Sequence, residues 1–379
     1  MKRNFNVLGD PKKAKALCIT IVVAVLLATL WPLDPFPRNG VTWLKGANGI
    51  KFEKAGIAMS HEALSLPETS GQNAYSLEIF VRPANNKFSQ TIAAFFNPKS
   101  GRELLVKEWI DGLFVTQDPS VRYDKSGTIN FYVRHVFHPG TLVLVAISSG
   151  QSGTVVYVNG AQAEYFPNFQ ITRGDLSGDL VLGTSPIAYQ PWRGEIRGLT
   201  VYTKELTPAE ASQHFLTWTQ SSRGQSAEME GVIARYTFTE SAGRQIHNEA
   251  ASGPVLWIPP TFRIPDKPFL ESPAKEFRSS GSYASEAVTN VVGFVPIGVV
   301  IFCYVAWTRN RWKALFSTIA LCALLSCAIE ILQYYIPKRG SGITDIITNT
   351  VGGALGALLT QWSLVRRLLE QIDILPSVE

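Results

Sequence analysis

The chain has 379 residues, of which 46% are hydrophobic and 17% are charged, and its formal net charge is +5. A soluble domain usually has about 25% charged residues, so this composition predicts membrane segments joined to a soluble part. The positive charges lie mainly beside apolar runs, which argues against a nucleic-acid-binding surface.

The cysteines lie in apolar runs, at Cys18, Cys303, Cys322 and Cys327. None lies between residues 35 and 285, so a domain exported in that interval would be held together by its core without disulfides. The absence of Cys-x-x-Cys and of His/Cys ligand spacing in the sequence argues against a structural zinc site.

Four apolar stretches are long enough to cross a hydrocarbon core of about 30 Å, which requires about 20 helical residues. They are residues 16–33, 287–308, 314–336 and 346–365. The first could also be a cleaved signal peptide, because lysines precede its apolar core. Trp31 and Pro32 follow it where a cleavage site would have small residues, which favours a retained anchor.

Basic residues predict the orientation of these stretches, because cytoplasmic loops of membrane proteins are enriched in Lys and Arg. Such residues flank one side of the predicted bundle: Lys2, Arg3, Lys12, Lys13, Lys15, Arg309, Arg311, Lys313, Arg366 and Arg367. Alternating crossings then place residues 35–285 and the loop 337–345 outside. We expect a multi-pass protein of the bacterial cytoplasmic (inner) membrane, with its large domain in the periplasm or the extracellular space.

Residues 48–216 consist of short alternating runs separated by Gly, Asn, Asp and Pro, a pattern that predicts an antiparallel sandwich. Four strings occur here in order: YSLEIFVRP, LVLVAISSGQSGTVVYVNG, GDLVLGT and WRGEIRGLTVYTKELTPAEASQHF. Together they resemble concanavalin A-like, laminin-G-like domains. The resemblance implies an all-β jelly-roll sandwich that commonly binds carbohydrate, sometimes protein, and often holds calcium.

Loop aspartates are the candidate calcium ligands, although such residues also stabilise turns. They are Asp111, Asp118, Asp124, Asp175 and Asp179. The ligand set stays open. Glycoside hydrolysis requires two carboxylates facing each other, whereas the sequence shows one strand carboxylate, Glu78, and no laminarinase-like Glu-x-Asp-x-x-Glu run.

We expect five segments along the chain. They are residues 1–35 (cytoplasmic N-terminus and first helix), 40–270 (exterior sandwich), 271–286 (linker), 287–367 (three transmembrane helices) and 368–379 (cytoplasmic tail). The segment 233–250 alternates like a strand and could return to the sandwich as an edge strand. The predicted fold is thus a membrane α-helical bundle of four transmembrane helices plus an all-β sandwich.

Polar residues inside a membrane helix are costly unless they are paired, so each needs a structural or functional explanation. Asn290, Glu330 and Asn349 are predicted at similar depth near the outer surface. The N-termini of the second and fourth helices point the same way and favour an anion. Arg339 lies against the positive-inside trend and is either a phosphate-binding group or the ion-pair partner of Glu330.

The same residues resemble a known family. The strings NVVGFVPIG and SCAIEILQYYIPKRGSGITDIITNTVGGALG are similar to the VanZ-like family, which is named for a glycopeptide-antibiotic tolerance protein. The resemblance implies a polar membrane site of Asn290, Glu330, Gln333, Arg339, Asp345 and Asn349. It also implies helix-packing positions at Pro296, Gly298, Gly352, Gly353 and Gly356. Gly352 and Gly356 additionally have the spacing that allows close helix approach.

Three functional hypotheses follow, and the sequence assigns catalytic residues to none of them. The favoured one is a non-enzymatic envelope protein that presents a glycan-binding domain outside the membrane, in envelope or exopolysaccharide processes or in antibiotic tolerance. The second is an intramembrane enzyme or transporter for a lipid-linked phosphate. The third is an adhesin or protein-interaction module. The expected partners are membrane lipid and a glycan or lipid-linked glycan, with calcium as a candidate cofactor.

Overall fold

The computed structural model describes residues 11–66, 73–85, 89–118, 128–220, 230–250, 253–279, 283–371 and 374. The chain forms two compact units. The inserted unit is Phe36–Lys267, and the helical unit is Met1–Pro35 together with Pro268–Glu379. The sequence predicted an exterior domain over 40–270.

The first part of the chain forms α1 (Pro11–Leu30), β1 (Val41–Trp43), β2 (Ile50–Phe52), β3 (Ala58–Ser60), β4 (Tyr75–Pro83), β5 (Gln90–Asn97), β6 (Arg102–Trp109) and β7 (Gly112–Thr116). The middle forms β8 (Asn130–Val133), β9 (Val143–Gly150), β10 (Gly153–Val158), β11 (Ala161–Phe166), α2 (Arg173–Leu176), β12 (Asp179–Leu182), β13 (Gly194–Tyr202) and α3 (Pro208–Gln220). The last part forms β14 (Val232–Tyr236), β15 (Gln245–Ile246), β16 (Leu256–Trp257), α4 (Pro273–Ser279), α5 (Tyr283–Ala306), α6 (Arg311–Tyr334), α7 (Ile343–Leu359) and α8 (Ser363–Gln371).

The strands of the inserted unit form two antiparallel sheets. One has the order β1-β2-β13-β4-β9-β10-β11, with β14 also paired to β13, and the other has the order β15-β16-β3-β12-β5-β6-β7-β8. The predicted antiparallel sandwich is therefore confirmed. The predicted return strand is present as β14, which pairs Leu199 of β13 with Tyr236.

Alternation along the strands builds the core between the sheets. Leu77 and Ile79 of β4 face Leu104 and Val106 of β6 within one buried cluster. Period-two alternation sends these side chains to one face of each strand. Their neighbours on the opposite face would be exposed in a bare sandwich.

The opposite face of β4 is nevertheless buried, because α3 covers it. Trp218 of α3 packs on Phe80, with ring centroids 5.8 Å apart. His214 of α3 lies 2.7 Å (Nδ1–Oε1) from Glu78, and the hydroxyl of Tyr202 donates to the second oxygen of that carboxylate at 2.7 Å. The strand carboxylate considered for hydrolysis, Glu78, thus has a fully buried side chain that anchors α3.

Three helices, α1, α5 and α6, are long and apolar enough to cross a membrane, and α7 passes the same test only when it is taken together with α8. The prediction of one continuous helix over 346–365 is wrong at its end. α7 stops at Leu359, and α8 follows at an angle of 79°. Polar residues explain the break, since Gln361 leaves the helix and accepts a hydrogen bond from Arg311 Nε at 2.6 Å. The 17 residues of α7 still lie within the range of about 17–25 that can span a bilayer.

The predicted linker 271–286 also differs from expectation, because it contains α4 and the start of α5. Pro273 occupies the first turn of α4, where its fixed φ favours a helix start. Glu271 pairs with the loop before α7: its N–H donates to the carbonyl oxygen of Ser341, and its carbonyl oxygen accepts from Ile343. The segment therefore packs on the bundle. The predicted tail 368–379 likewise begins inside α8.

Glycines bring α7 close to its neighbours. A Cβ added to Gly352 would lie 2.2 Å from the carbonyl oxygen of Val291, and one on Gly356 would lie 2.1 Å from that of Val295. Gly298 of α5 approaches Gly353 equally closely. Small residues permit this backbone contact, which is a main source of helix association in membranes.

Candidate functional sites

The helical unit has a polar cavity of about 620 Å³ at one end of the bundle. α1 and α6 end there, and α5 and α7 begin there; we call it the cavity end. Its lining includes four predicted site residues, Asn290, Gln333, Arg339 and Asp345. It also includes the charged residues Glu271, Glu276, Glu286 and Lys338.

Asparagine side chains join the helices beside this cavity. The amide of Asn290 on α5 donates to Asp345 of α7 at 2.7 Å. One turn deeper, the amide of Asn349 donates to Ser326 of α6 at 2.9 Å. Ser326 in turn lies 3.5 Å from the carbonyl oxygen of Asp345. These bonds satisfy polar groups that would be costly inside a membrane.

Glu330 is a residue of α6 whose side chain lies beside the start of α7. It is 1% exposed, and its carboxylate accepts the N–H of Gly342, the N-cap residue of α7, at 2.9 Å. Ser341 donates to the carbonyl oxygen of Glu330 at 3.0 Å, which fixes the loop on α6. A helix N-terminus favours negative charge. A carboxyl group of the chain itself therefore occupies this helix start, where the sequence predicted an anion.

Arg339 and Gln333 bind the end of α1. The Arg339 guanidinium donates to the carbonyl oxygens of Trp31 at 3.0 Å and Ala28 at 3.3 Å. Gln333 donates to the carbonyl oxygen of Thr29 at 2.9 Å. The last carbonyls of a helix have no partner within it, and a cation there also interacts favourably with the helix dipole. These bonds place the guanidinium at the α1 end rather than on Glu330.

The cavity has more acidic than basic side chains in its lining. Four carboxylic acids, on Glu271, Glu276, Glu286 and Asp345, face two cations, on Lys338 and Arg339. Burial and the nearby carboxylate of Glu276 raise the pKa of Glu271. The charge balance disfavours a bare phosphate unless Lys338 or a counter-ion contributes.

The inserted unit carries a second candidate site, at the turn between β6 and β7, which sequence reasoning missed. Trp109 packs edge-on against Phe114 and Tyr132, with ring centroids 5.1 Å and 5.7 Å away. The ring of Tyr132 lies over Gly112, where a Cβ would come within 2.3 Å of it. Lys107 is on the same face of β6 as Trp109, two residues away, and is buried.

Two residues of this site have positive φ angles, Ile110 in the turn and His135 just after β8. Ile110 and His135 adopt φ angles of 60° and 57°, and for a β-branched residue such as Ile110 this is a genuine outlier. Asp111 joins the two segments, since its carboxylate lies 2.6 Å from His135 Nδ1. The Ile110 side chain is 47% exposed and that of His135 is 76% exposed. We call Trp109, Ile110, Asp111, Tyr132 and His135 the hairpin surface.

A sequence signal for this turn was present but ambiguous. Asp111-Gly112 between apolar runs is a strong hairpin signal, normally with Asp and Gly as the two turn residues. In the structure Trp109 pairs with Gly112, so the turn residues are Ile110 and Asp111. Tyr132 accounts for the shift, because only glycine fits beneath its ring.

The aspartates considered as calcium ligands lie in different places. Asp175 accepts bonds from Thr172 as a helix cap, and Asp179 lies on β12. Asp124 is outside the described residues. Within those residues, no three His, Cys, Asp or Glu side chains group closely enough to hold a metal ion. Calcium binding stays a prediction.

Comparison with known proteins agrees with both parts of this architecture. Residues 58–212 match the model of the concanavalin A-like lectin/glucanases superfamily, and residues 215–365 match that of the VanZ/LLP1 family. The protein VanZ of Enterococcus faecium is 32% identical over 83 residues, which are 22% of this chain and 48% of that protein. The match thus spans about half the length of this curated relative.

Solved structures with a similar fold are more distant. A candidate carbohydrate-binding protein from Bacteroides ovatus is 15% identical, with a TM-score of 0.35, over 58% of this chain and 62% of that one. A sialidase CBM40 domain from Ruminococcus gnavus, bound to α2,3-sialyllactose, is 13% identical, with a TM-score of 0.34, over 44% and 96%.

The chain is therefore a protein with apolar helices able to span a membrane and a concanavalin A-like domain inserted between the first and second of them. Residues 215–365, which include α5, α6 and α7, are VanZ-like.

Proposed function

We propose that this protein is a non-enzymatic glycan receptor of a bacterial cell envelope. Its VanZ-like helices anchor it in the cytoplasmic membrane, and its concanavalin A-like domain binds carbohydrate outside, in envelope or exopolysaccharide processes or in antibiotic tolerance. The observation that carries the proposal is the hairpin surface, where the exposed Ile110 is held in a strained backbone conformation beside aromatic and polar side chains. Such strain persists only where the surrounding structure enforces it, and it clusters at functional sites.

The chemistry of the hairpin surface suits a sugar. A pyranose ring has an apolar C–H face and a rim of hydroxyl groups, so it needs an aromatic side chain with polar groups beside it. Trp109 and Tyr132 are half-buried and can supply the apolar contact. Asp111 and His135 can exchange hydrogen bonds with hydroxyl groups. The match to the lectin/glucanases superfamily supports the same ligand class.

Replacing Trp109 with alanine is expected to weaken glycan binding. Loss of a central aromatic contact costs about 2 kcal/mol, or roughly 30-fold in Kd. The measurement is binding of the full-length protein in nanodiscs to a glycan array, followed by titration of the best glycan, with and without calcium. Tyr165→Ala is the matched control, because Tyr165 is an aromatic residue of the same domain that is 45% exposed.

If the tryptophan and tyrosine variants bind equally well, the glycan does not use the hairpin surface. If no glycan on the array binds in either calcium condition, the receptor proposal fails and the protein-interaction alternative takes its place. Near-UV circular dichroism of both variants shows whether the domain has kept its packing.

A second candidate function rests on the polar cavity, which could take the headgroup of a lipid-linked phosphate for an intramembrane enzyme or transporter. The cavity is lined by residues of the VanZ-like motif, among them Asn290, Gln333 and Asp345. Lys338 and Arg339 are the cations of the lining, and Lys338 is the more exposed of the two. In this proposal Lys338 contributes charge to the binding of the phosphate.

Under this second function, Lys338→Gln is expected to lower retention of a long-chain polyprenyl phosphate. One cation at a membrane surface is worth about 1 kcal/mol, which is roughly fivefold in affinity. Native mass spectrometry of the full-length protein measures the retained lipid. Lys275→Gln is the control, because Lys275 is an exposed lysine of α4 outside the cavity lining. Equal retention by both variants would exclude phosphate binding through Lys338.

A further inference from the structure

α8 is an amphipathic helix whose apolar face is only partly used by the bundle. At 100° per residue, Leu364, Val365, Leu368 and Leu369 share one side of the helix, and Arg366 and Arg367 lie on the other. No residue of α8 is fully buried.

The two halves of this apolar face have different surroundings. Leu369 packs against the cluster that includes Phe302 and Val305 of α5, so one half is held to the bundle. Leu364 is 69% exposed and Leu368 is 55% exposed, and they lie one turn apart on the other half. Trp362, just before the helix, is 68% exposed.

α8 lies at the end of the bundle opposite the cavity. α7 runs from the cavity end and stops at Leu359, and the 79° bend then turns α8 away from the direction of the span. A helix that leaves a membrane span at this angle runs along the membrane surface. α7, which precedes the bend, also has exposed leucines, at Leu355 and Leu358.

Positive charges predominate at the end of the bundle that carries α8. Arg311 of α6 is bonded to Gln361 in the bend, so the loop between α5 and α6 adjoins α8. That loop and the start of α6 contribute Arg309, Arg311 and Lys313, and α8 adds Arg366 and Arg367. Glu370 is the acidic residue of α8 and is paired with Arg366 at 2.8 Å. A surface rich in Arg and Lys beside exposed leucines matches the headgroup layer of an anionic leaflet.

We propose that α8 is an in-plane membrane helix that inserts Leu364 and Leu368 into a leaflet of anionic lipid, with Arg367 and the basic loop on the headgroups. This contact holds the end of the short helix α7 at the membrane surface. The interfacial position of Trp362 fits the same arrangement. A protein partner on this face is the competing occupant.

Hydrogen exchange of the α8 amides in the full-length protein tests the proposal. Nanodiscs of phosphatidylcholine alone are compared with nanodiscs that also contain phosphatidylglycerol. We expect exchange over residues 363–371 to be about tenfold slower in the anionic discs, because lipid contact suppresses local opening. The double substitution Leu364→Glu with Leu368→Glu should remove this protection, and Arg367→Gln should reduce its dependence on phosphatidylglycerol.

Leu216→Glu is the matched control, because Leu216 is an exposed leucine of the inserted unit, 42% exposed. It should leave exchange in α8 unchanged. Equal exchange in the two lipid mixtures would overturn the proposal, as would protection that survives the double substitution. Faster exchange throughout α5, α6 and α7 in the double variant would show that the two leucines support the bundle itself, and this too would overturn it.

Discussion

Replacing Gly298 with alanine is expected to destabilise the helical bundle by about 2 kcal/mol or more, the usual cost of forcing a methyl group into a packed interface. A Cβ at this position would lie 2.0 Å from the carbonyl oxygen of Gly353, far inside van der Waals contact. The obstacle is backbone, so α5 and α7 would have to separate. The measurement is the melting temperature of the full-length protein in nanodiscs.

Gly293→Ala is the control for this substitution. Gly293 lies in the same helix, and an added Cβ would meet nothing within 4 Å. Alanine is the better helix former by about 1 kcal/mol, so this variant should be as stable as the wild type or more so. Equal melting temperatures for the two variants would mean that α5 and α7 are not packed as the structure shows.

The sequence predicted the classes of element correctly wherever a pattern extends over many residues. Long apolar runs identified α1, α5 and α6, and period-two runs identified the sandwich. It missed the end of α7 because Val365 of α8 is apolar and extends the hydrophobic stretch past the polar break at Gln361. Average hydrophobicity cannot separate a straight span from a span followed by an amphipathic helix.

The candidate sites show a different limit of prediction from sequence. The sequence identifies a polar residue in a membrane helix but not which backbone groups lack partners nearby. Arg339 could bind an anion or a carboxylate by its chemistry, yet the unpaired carbonyls at the end of α1 take its guanidinium. Glu330 similarly lies on the N-cap of α7. Such assignments depend on where separate helices end in space.

A buried carboxyl group makes the inserted unit sensitive to pH. Glu108 of β6 is fully buried, and it accepts a hydrogen bond from Trp192 Nε1 at 2.6 Å. Among the described residues, its other oxygen has no partner, and neither does the side-chain oxygen of Gln90, which is directly opposite on β5. Directly opposite residues point to the same face of a sheet. A proton on Glu108 would supply the donor that these two acceptors lack.

Burial raises the pKa of Glu108 from 4.5 to about 7, and it does the same for Glu103. The folded state therefore holds these protons more tightly than the unfolded state. Stability is greatest below about pH 4.5 and is lost as the pH rises to about 7, by roughly 3 kcal/mol for each group. Lys107, whose pKa is lowered from 10.5 to about 8 by burial, changes stability with pH only above that window.

Glu108→Gln is expected to remove about half of this pH dependence. The amide keeps an acceptor for Trp192 and provides a permanent donor toward Gln90, without a charge to bury at any pH. The variant should be more stable than the wild type by about 2–3 kcal/mol at pH 8, and the difference should vanish near pH 4. Urea midpoints at both pH values, monitored by the β-sheet circular dichroism signal, measure this difference.

Glu164→Gln on the exposed strand β11 is the control and should shift neither midpoint. If Glu108→Gln instead destabilises the domain equally at both pH values, the carboxyl is ionised in the folded state and Gln90 is not its partner.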